Sequence, residues 1–430
     1  DLEVLLDLQA GGTGLTGPVS VQAEHLASPL AGSAKELILT GDLTTKGKEL
    51  VPDSVAFVGA VSLAHGALED VHKNTVTTAL ALPDPLDLHS KALQESLSDL
   101  LSDFSTGIQI QAAYDVKHSS YTLESSRALV MQTADKSISV HVRPEKSRNW
   151  LNLDGSSLTI AGDVEYFDEN KNLTLTMQRS QIGYGLKSGD MSLRFHSLLL
   201  DEWDVDKRKV DVTLGPTNFA KTSSSGRFST NGQVRFSGPA FGAELQNATI
   251  NGAFAGLESK DGWMIRISDS ECFDFGIASA ELADIRIDPV SARFCAPGGR
   301  LFDREKDDKG KVVRTFGELT TQALKLPLRH PSATADMRLQ SPSFRWSAGD
   351  KIQLTMLAKS MTNSILLPEQ DSKKPHSART GEVISKFTLD NDNSYVDIHL
   401  KNILADIADA PIAVSAASWD AEGEVLDTGP

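Results

Sequence analysis

The sequence is short of several things, and each shortage closes off a class of function. In 430 residues there are only two cysteines, and aromatic residues make up 6%. No apolar run reaches the roughly 18 residues that a membrane-crossing helix needs. The chain as given is therefore not expected to span a bilayer. It opens at Asp1 without an initiator Met or a signal-peptide pattern, and is compatible with an internal piece of a protein that does span one. Basic residues are outnumbered, 42 Lys and Arg against 58 Asp and Glu, for a net charge of -16. They are also scattered, whereas phosphate backbones are bound by concentrated basic faces, so nucleic acid is not an expected partner. The acidity reads as a soluble, self-repelling surface.

Catalytic signatures are missing too. None of the ten histidines pairs with another His, a Cys or an acid at metal-ligand spacing on a helix. His141, His196 and His399 fall at strand positions, where solvent-facing roles are expected. There is no G-x-S-x-G elbow, Walker A lysine or H-E-x-x-H. The five tryptophans, Trp150, Trp203, Trp263, Trp346 and Trp419, are too dispersed for a glycan platform. Enzymatic activity, metals and cofactors are not expected.

One match to a dinucleotide fingerprint occurs, at Gly12, Gly14 and Gly17. That motif works only where the glycines open a helix whose N–H groups receive a pyrophosphate. Here Pro18 follows, then Val19, Val21 and Ala23 at every second position, which is a strand pattern.

Period-2 alternation is what the sequence has in abundance. It is clean in Ser137–Arg143, Leu173–Met177, Val210–Leu214, Gln233–Phe236, Met264–Ile267 and Tyr395–Leu400. Turn clusters such as Glu169–Asn172 and Asp390–Asn393 separate such runs. This is the signature of antiparallel strands with one apolar and one solvated face. A short residue, Gly, any residue and then an apolar one recurs at Gly17, Gly41, Gly162, Gly232, Gly252 and Gly423. Just before or inside strands, these glycines are expected to mark tight turns, bulges or bends, read here as strand-start bends in a repetitive array.

One segment breaks the period. Leu93, Leu97, Leu100, Leu101 and Phe104 are spaced 4, 3, 1 and 3 apart, which lays a single stripe along a helix. Pro83 and Pro85 precede it, and Gly107 suits the position just past its end. Such a helix is expected to cap or plug an apolar opening; Glu95, Asp99 and Asp103 make its polar side unlike that of a membrane-surface helix. The organisation expected is a β segment over 1–82, an amphipathic helix over 83–107, and a continuing β segment over 108–430. Charged, breaker-rich stretches near 303–311 and 368–381 read as mobile loops. Cys272 and Cys295 flank two alternating runs, and composition alone leaves open a reduced pair or one disulfide.

The run Phe294-Cys295-Ala296-Pro297-Gly298-Gly299 resembles the C-P-x-x-G element of the YdbH-like proteins of the AsmA superfamily. The stretch Asp409–Trp419 is similar to that family's x-V-P-L … G-x-W signature. Ala296 stands where proline is usual, Ala410 where valine is usual, and Ser418 in place of the expected glycine. The resemblance implies a mostly β fold: an elongated, twisted antiparallel sheet curled into an open groove, with one amphipathic helix. It implies the periplasmic part of an inner-membrane-anchored protein that carries phospholipid acyl chains toward the outer membrane. Membrane proteins or lipoproteins at the two membranes would be its partners. Groove-lining positions would then be Ile138, Val140, Val142, Leu158, Ile160, Leu173, Leu175, Val234 and Phe236. In an oxidising periplasm Cys272 and Cys295 are expected to pair. The competing reading is a closed-core β-solenoid or adhesin-like scaffold that carries no lipid.

Overall fold

The computed structural model describes residues 2–425 except 12–13, 29–31, 48–51, 69–85, 119, 126, 145–149, 155, 186–187, 223, 241–242, 260–261, 269–270, 302, 307–311, 368–374, 391–392 and 407–412. The fold is mostly β, with one α-helix among the described residues, and every strand pairing reported below is antiparallel. Contacts divide the chain into two compact units, Asp1–Ser224 and Ser225–Pro430.

In the first unit the chain climbs row by row. Strands β1 (Leu2–Leu6) and β2 (Gln9–Gly11) lie end to end against β3 (Gly14–Ser28). Next come β4 (Gly32–Lys46), β5 (Ser54–Leu68) and β6 (Phe104–Asp115), each paired with the one before. Beyond β6 some rows are split. β7 (Ser120–Ser125) and β8 (Leu129–Thr133) share one row, and β9 (Ile138–Arg143) and β10 (Leu151–Asp154) share the next. Two long strands follow, β11 (Ser157–Asp168) and β12 (Leu173–Gly185). The last two rows are again split: β13 (Met191–Phe195) with β14 (Ser197–Val205), then β15 (Arg208–Leu214) with β16 (Thr217–Lys221). Fifteen-residue strands such as β3–β5 reach about 50 Å.

The second unit repeats the plan. β17 (Gly226–Ala240) pairs with β18 (Ala243–Ser259), which supports a triple row of β19 (Gly262–Ile267), β20 (Cys272–Ile277) and β21 (Ser279–Leu282). β22 (Ile285–Ile287) and β23 (Val290–Cys295) pair back onto β21 and β20. β24 (Asp303–Lys306) forms a hairpin with β25 (Val312–Thr320). β26 (Ala323–His330), β27 (Ala333–Gln340), β28 (Ser343–Ala348), β29 (Ile352–Ala358) and β30 (Ser360–Leu366) build the following rows. β31 (His376–Thr380), β32 (Glu382–Asp390), β33 (Asn393–Asp406) and β34 (Ala413–Val425) complete the unit. The outer rows, β1 with β2 and β34, have a strand partner on one side only among the described pairings, so the sheet does not close as a barrel.

The rows stay in phase because of bulges. On β12 the apolar side chains sit at odd numbers up to Met177 and at even numbers from Ile182; an uninterrupted strand would put the two sets on opposite faces. Arg179, with φ 49°, absorbs the extra residue. Its N–H donates to the Asp163 carboxylate at 2.8 Å, and the Ser180 hydroxyl donates to the Gly162 carbonyl at 2.6 Å. The device recurs twice. Glu202 (φ 40°) shifts β14 between Leu200 and Trp203, and its N–H donates to Asp211 at 2.8 Å. Asn247 (φ 49°) shifts β18, and its N–H donates to the Ser237 hydroxyl at 2.9 Å. A left-handed residue with a side chain costs about 1–2 kcal/mol, and each of these donors is matched by an oxygen from the neighbouring strand.

Several sequence expectations are corrected. The recurrent glycines lie inside strands, not at their starts: Gly17 in β3, Gly41 in β4, Gly162 in β11, Gly232 in β17, Gly252 in β18 and Gly423 in β34. Gly162 borders the bulge of β11 against β12, and Gly17, Gly41 and Gly252 stand where another part of the protein approaches closely. Gly41 and Gly59 face each other across β4 and β5 with the Phe57 ring laid over them; a Cβ on Gly41 would lie 2.8 Å from that ring. The fingerprint glycines open no helix: Gly14 and Gly17 belong to β3, and Gly12 lies outside the described residues. Two expected loops are partly strand, since Asp303–Lys306 is β24 and His376–Thr380 is β31; 307–311 and 368–374 lie outside the described residues, as does 409–412 of the family-like closing run.

Cys272 and Cys295 form a disulfide between directly opposed residues of β20 and β23. The bridge spans 23 residues, a loop for which chain entropy gives about 3 kcal/mol. Cys295→Ser is expected to lower the urea-unfolding free energy by about that amount, and intact protein trapped without reductant should show no free thiol by mass spectrometry.

Candidate functional site

Register decides which side chains share a face, and in the first unit it gathers the apolar ones. Val140 stands opposite Tyr166, which stands opposite Leu175, which stands opposite Leu200, which stands opposite Val212. The parallel line runs through Leu153, Leu158 and Tyr184 to Met191. Lower rows continue it with Val21, Leu39, Val61 and Ile108. The reverse face carries His141, Glu165 and Thr176, with Arg143 paired to Glu165 at 2.8 Å. On the apolar face of β4–β6, Leu39, Leu43, Val55, Val61, Ile108 and Ile110 remain only half-buried.

Helix α1 (Asp87–Ser102) lies across this face. Near its start His89 reaches the Arg208 carbonyl on β15, and just past its end Asp103 meets His65 on β5. Those strands are separated by β6, β8, β9, β11, β12 and β14, about 33 Å along a flat sheet. The helical segment between the two contacts spans about 21 Å. The sheet of this unit is curved, and α1 touches β5, β8, β9 and β14 from the apolar side, which is its concave side.

The helix docks through a face rotated from its apolar stripe. Leu100 is fully buried, while Leu93, Leu97 and Leu101 are half-buried. Phe104, expected at the end of the stripe, is the first residue of β6 and packs over Gly66. Gly107, expected just past the helix, lies within β6, because the helix ends at Ser102.

The remaining buried positions are polar. Ser96 donates to the Asp168 carboxylate and accepts from the Tyr166 hydroxyl. Asp168, itself wholly buried, also takes the Lys171 N–H at 3.2 Å. The Lys171 ammonium donates to the Ala92 carbonyl at 2.7 Å and pairs with Glu95 at 3.0 Å. His89 Nε2 lies 3.2 Å from the Trp203 carbonyl and 2.9 Å from that of Arg208. Both partners are acceptors, so the proton sits on Nε2. Nδ1 is buried with no partner among the described residues. The ring meets Trp203 edge-on at 5.0 Å, and Arg208 pairs with Asp87 at 2.9 Å. Burial holds the His89 pKa below its usual 6.5 and pushes that of Tyr166 up to about 12. Ser96 and Asp168 have no exposed surface. The cluster clamps the helix against β11, β14 and β15.

In the second unit one face collects Phe254, Phe273, Phe275, Phe294 and Phe344, with neighbouring ring centroids 5.8–6.1 Å apart. A second cluster crosses successive rows through Val290, Leu324, Leu339, Ala358 and Val383.

The sequence-selected residues fall as follows. Ile138, Val142 and Leu173 are buried, and Val140, Leu158, Ile160 and Leu175 are half-buried, all on the concave face of the first unit. Phe236 is buried and Val234 half-buried, with Val234 opposite Ile250 on the apolar face of the second. Sequence reasoning missed His89, Ser96, Tyr166, Asp168 and Trp203. Their partners come from distant rows, and no local spacing links them. No group of His, Cys, Asp and Glu able to hold a metal occurs among the described residues, and no helix of the described residues is long and apolar enough to cross a membrane. No family model and no curated protein matches this chain.

Ser96→Ala removes the donor to a buried carboxylate and is expected to destabilise the protein by about 1–3 kcal/mol, read from urea unfolding against exposed Lys91→Ala. His89 adds a pH dependence. Above its unfolded pKa of 6.5 both states are neutral and its contribution is complete. As pH falls through that value the unfolded chain takes up a proton that the folded state resists, so stability drops until the lower folded pKa is passed. His89→Gln is expected to flatten the decline in unfolding midpoint between about pH 7.5 and about pH 5.5; an unchanged slope would assign the decline to other groups.

Proposed function

We propose that this chain is part of an envelope bridge that shelters phospholipid acyl chains along the apolar faces of its sheets. The observation that carries the reading is the segregation by register in the first unit. Its concave face is apolar, its reverse face mixes Arg143, Glu165, His141 and Thr176 with exposed Val130, Phe167 and Leu199, and Leu39, Val61, Ile108 and Ile110 on the concave face are only half-buried. Each methylene sheltered from water is worth about 0.8 kcal/mol, so a chain can slide along such a surface while its headgroup stays in solvent. The resemblance of Phe294–Gly299 to the YdbH-like proteins supports the same reading. The Cys272–Cys295 bridge supports an oxidising compartment, which for this family would be the periplasm. Partners at the two membranes would be membrane proteins or lipoproteins. Nothing in the reading calls for catalysis, a cofactor or nucleic acid.

A structural scaffold is the second reading. It is favoured by Ile138, Val142, Leu173 and Phe236, which are buried within protein packing.

Photo-crosslinking amino acids separate the two. Placed at Val21, Leu39, Val140 and Ile160, they are expected to capture phospholipid in cells. Placed at Ser139 and Thr159, which the register turns to the other face, they are expected to capture none. Equal capture on both faces, or none at any site, would remove the acyl-chain reading in favour of the scaffold.

A further inference from the structure

The stretch Phe294–Gly299 builds something that acyl-chain shelter does not explain. Cys295 ends β23, and the chain then turns through a short 3-10 segment, Pro297–Gly299. The turn is held at each side. The Ala296 N–H donates to the Glu271 carbonyl at 2.8 Å, the Gly299 N–H to that of Ala296 at 2.8 Å, and the Leu301 N–H to that of Ile265 at 3.1 Å. Gly298 and Gly299 adopt φ 68° and 72°, where a side chain is strained, and a Cβ on Gly299 would lie 3.1 Å from the Ile267 carbonyl. What this turn delivers is Arg300, at the rim of a cleft of about 370 Å³.

The cleft lies on the polar side of the second unit. Its lining includes Arg300, Arg314, Arg345, Gln353 and Thr355. Glu318, Arg345 and Thr355 are successive cross-strand partners, while the adjacent line Leu319, Phe344 and Met356 faces the apolar side. Each guanidinium is oriented. Asp303 holds Arg300 at 2.7 Å, Glu318 holds the Arg345 Nε at 3.2 Å, and Arg314 stacks over the Phe316 ring at 5.3 Å. A carboxylate that grips one edge of a guanidinium leaves N–H groups on its other edge and fixes where they point. Arg300 and Arg345, held in this way, and Arg314, stacked on Phe316, line the hollow from a turn and two strands, beside the Gln353 amide, the Thr355 hydroxyl and the Asp303 and Glu318 carboxylates, in a chain of net charge -16.

We propose that this cleft is a binding site for a phosphate-type oxyanion, with Arg300, Arg314 and Arg345 as its ligands. Phosphate suits it because its oxygens accept from several forked donors at once, whereas a carboxylate is satisfied by one arginine. The disulfide and the glycine pair place Arg300; the ladder of β25, β28 and β29 places the rest. The site does not depend on the acyl-chain reading.

The test is calorimetric titration of the full chain with inorganic phosphate, with chloride at matched ionic strength as the blank. Saturable binding is expected. Arg345→Gln and Arg300→Gln should each weaken it by about tenfold or more. Gly299→Ala should weaken it while the disulfide stays formed. Arg143→Gln, which removes an exposed ion pair in the other unit, should leave it unchanged. Absence of saturation, or an equal loss in Arg143→Gln, would overturn the proposal, the latter by showing diffuse charge screening. Glycerophosphoglycerol then sorts the source: tighter binding than inorganic phosphate assigns a lipid headgroup, and equal or weaker binding assigns a free phosphate.

Discussion

Everything in this structure depends on keeping side chains in phase across a long antiparallel ladder. A strand turns alternate residues to opposite faces, so one uncorrected insertion would move every apolar group beyond it to the solvated side. The bulges at Arg179, Glu202 and Asn247 are the corrections. Each puts an unfavourable left-handed residue inside a strand, and each donates its N–H to a side-chain oxygen of the next row. The shift at Arg179 is what keeps the line through Leu158 and Tyr184 on the same face as the line from Val140 through Tyr166 and Leu175.

The helix follows from the same geometry. A bent sheet with an apolar concave face needs something inside the bend, and α1 lies there, in contact with strands from β5 to β15. Leu100 supplies its one fully buried apolar side chain, and the other buried positions, His89, Ser90 and Ser96, are polar. Hydrophobic contact is indifferent to register, whereas Ser96 against Asp168 and His89 against two carbonyls fit one placement only. The polar contacts thus define where the helix sits. The disulfide serves the second unit similarly, fixing β20 to β23 one residue ahead of the turn that carries Pro297 and Arg300.

Much of this was legible in the sequence because the signals are local. Alternation from Ser137 to Arg143 or from Tyr395 to Leu400 involves neighbours, and strand geometry turns it directly into faces. The leucine spacing from Leu93 to Leu101 likewise required a helix. The recurrent glycines were legible as a device but not as the right one. A bend and a close approach both call for glycine, and only the partner strand distinguishes them, as Phe57 does over Gly41 and Gly59.

The sequence by itself determined the strand content, the existence of the helix and which residues of each strand keep company, since these rest on chain periodicity. Tertiary structure decided the curvature, the rotation of the helix onto His89 and Ser96, and the arginine cleft. Ser96 and Asp168 are 72 positions apart, and Arg300 and Arg345 belong to separate elements. No pattern within one element encodes such meetings, because they are fixed by how many rows lie between and how far the sheet bends.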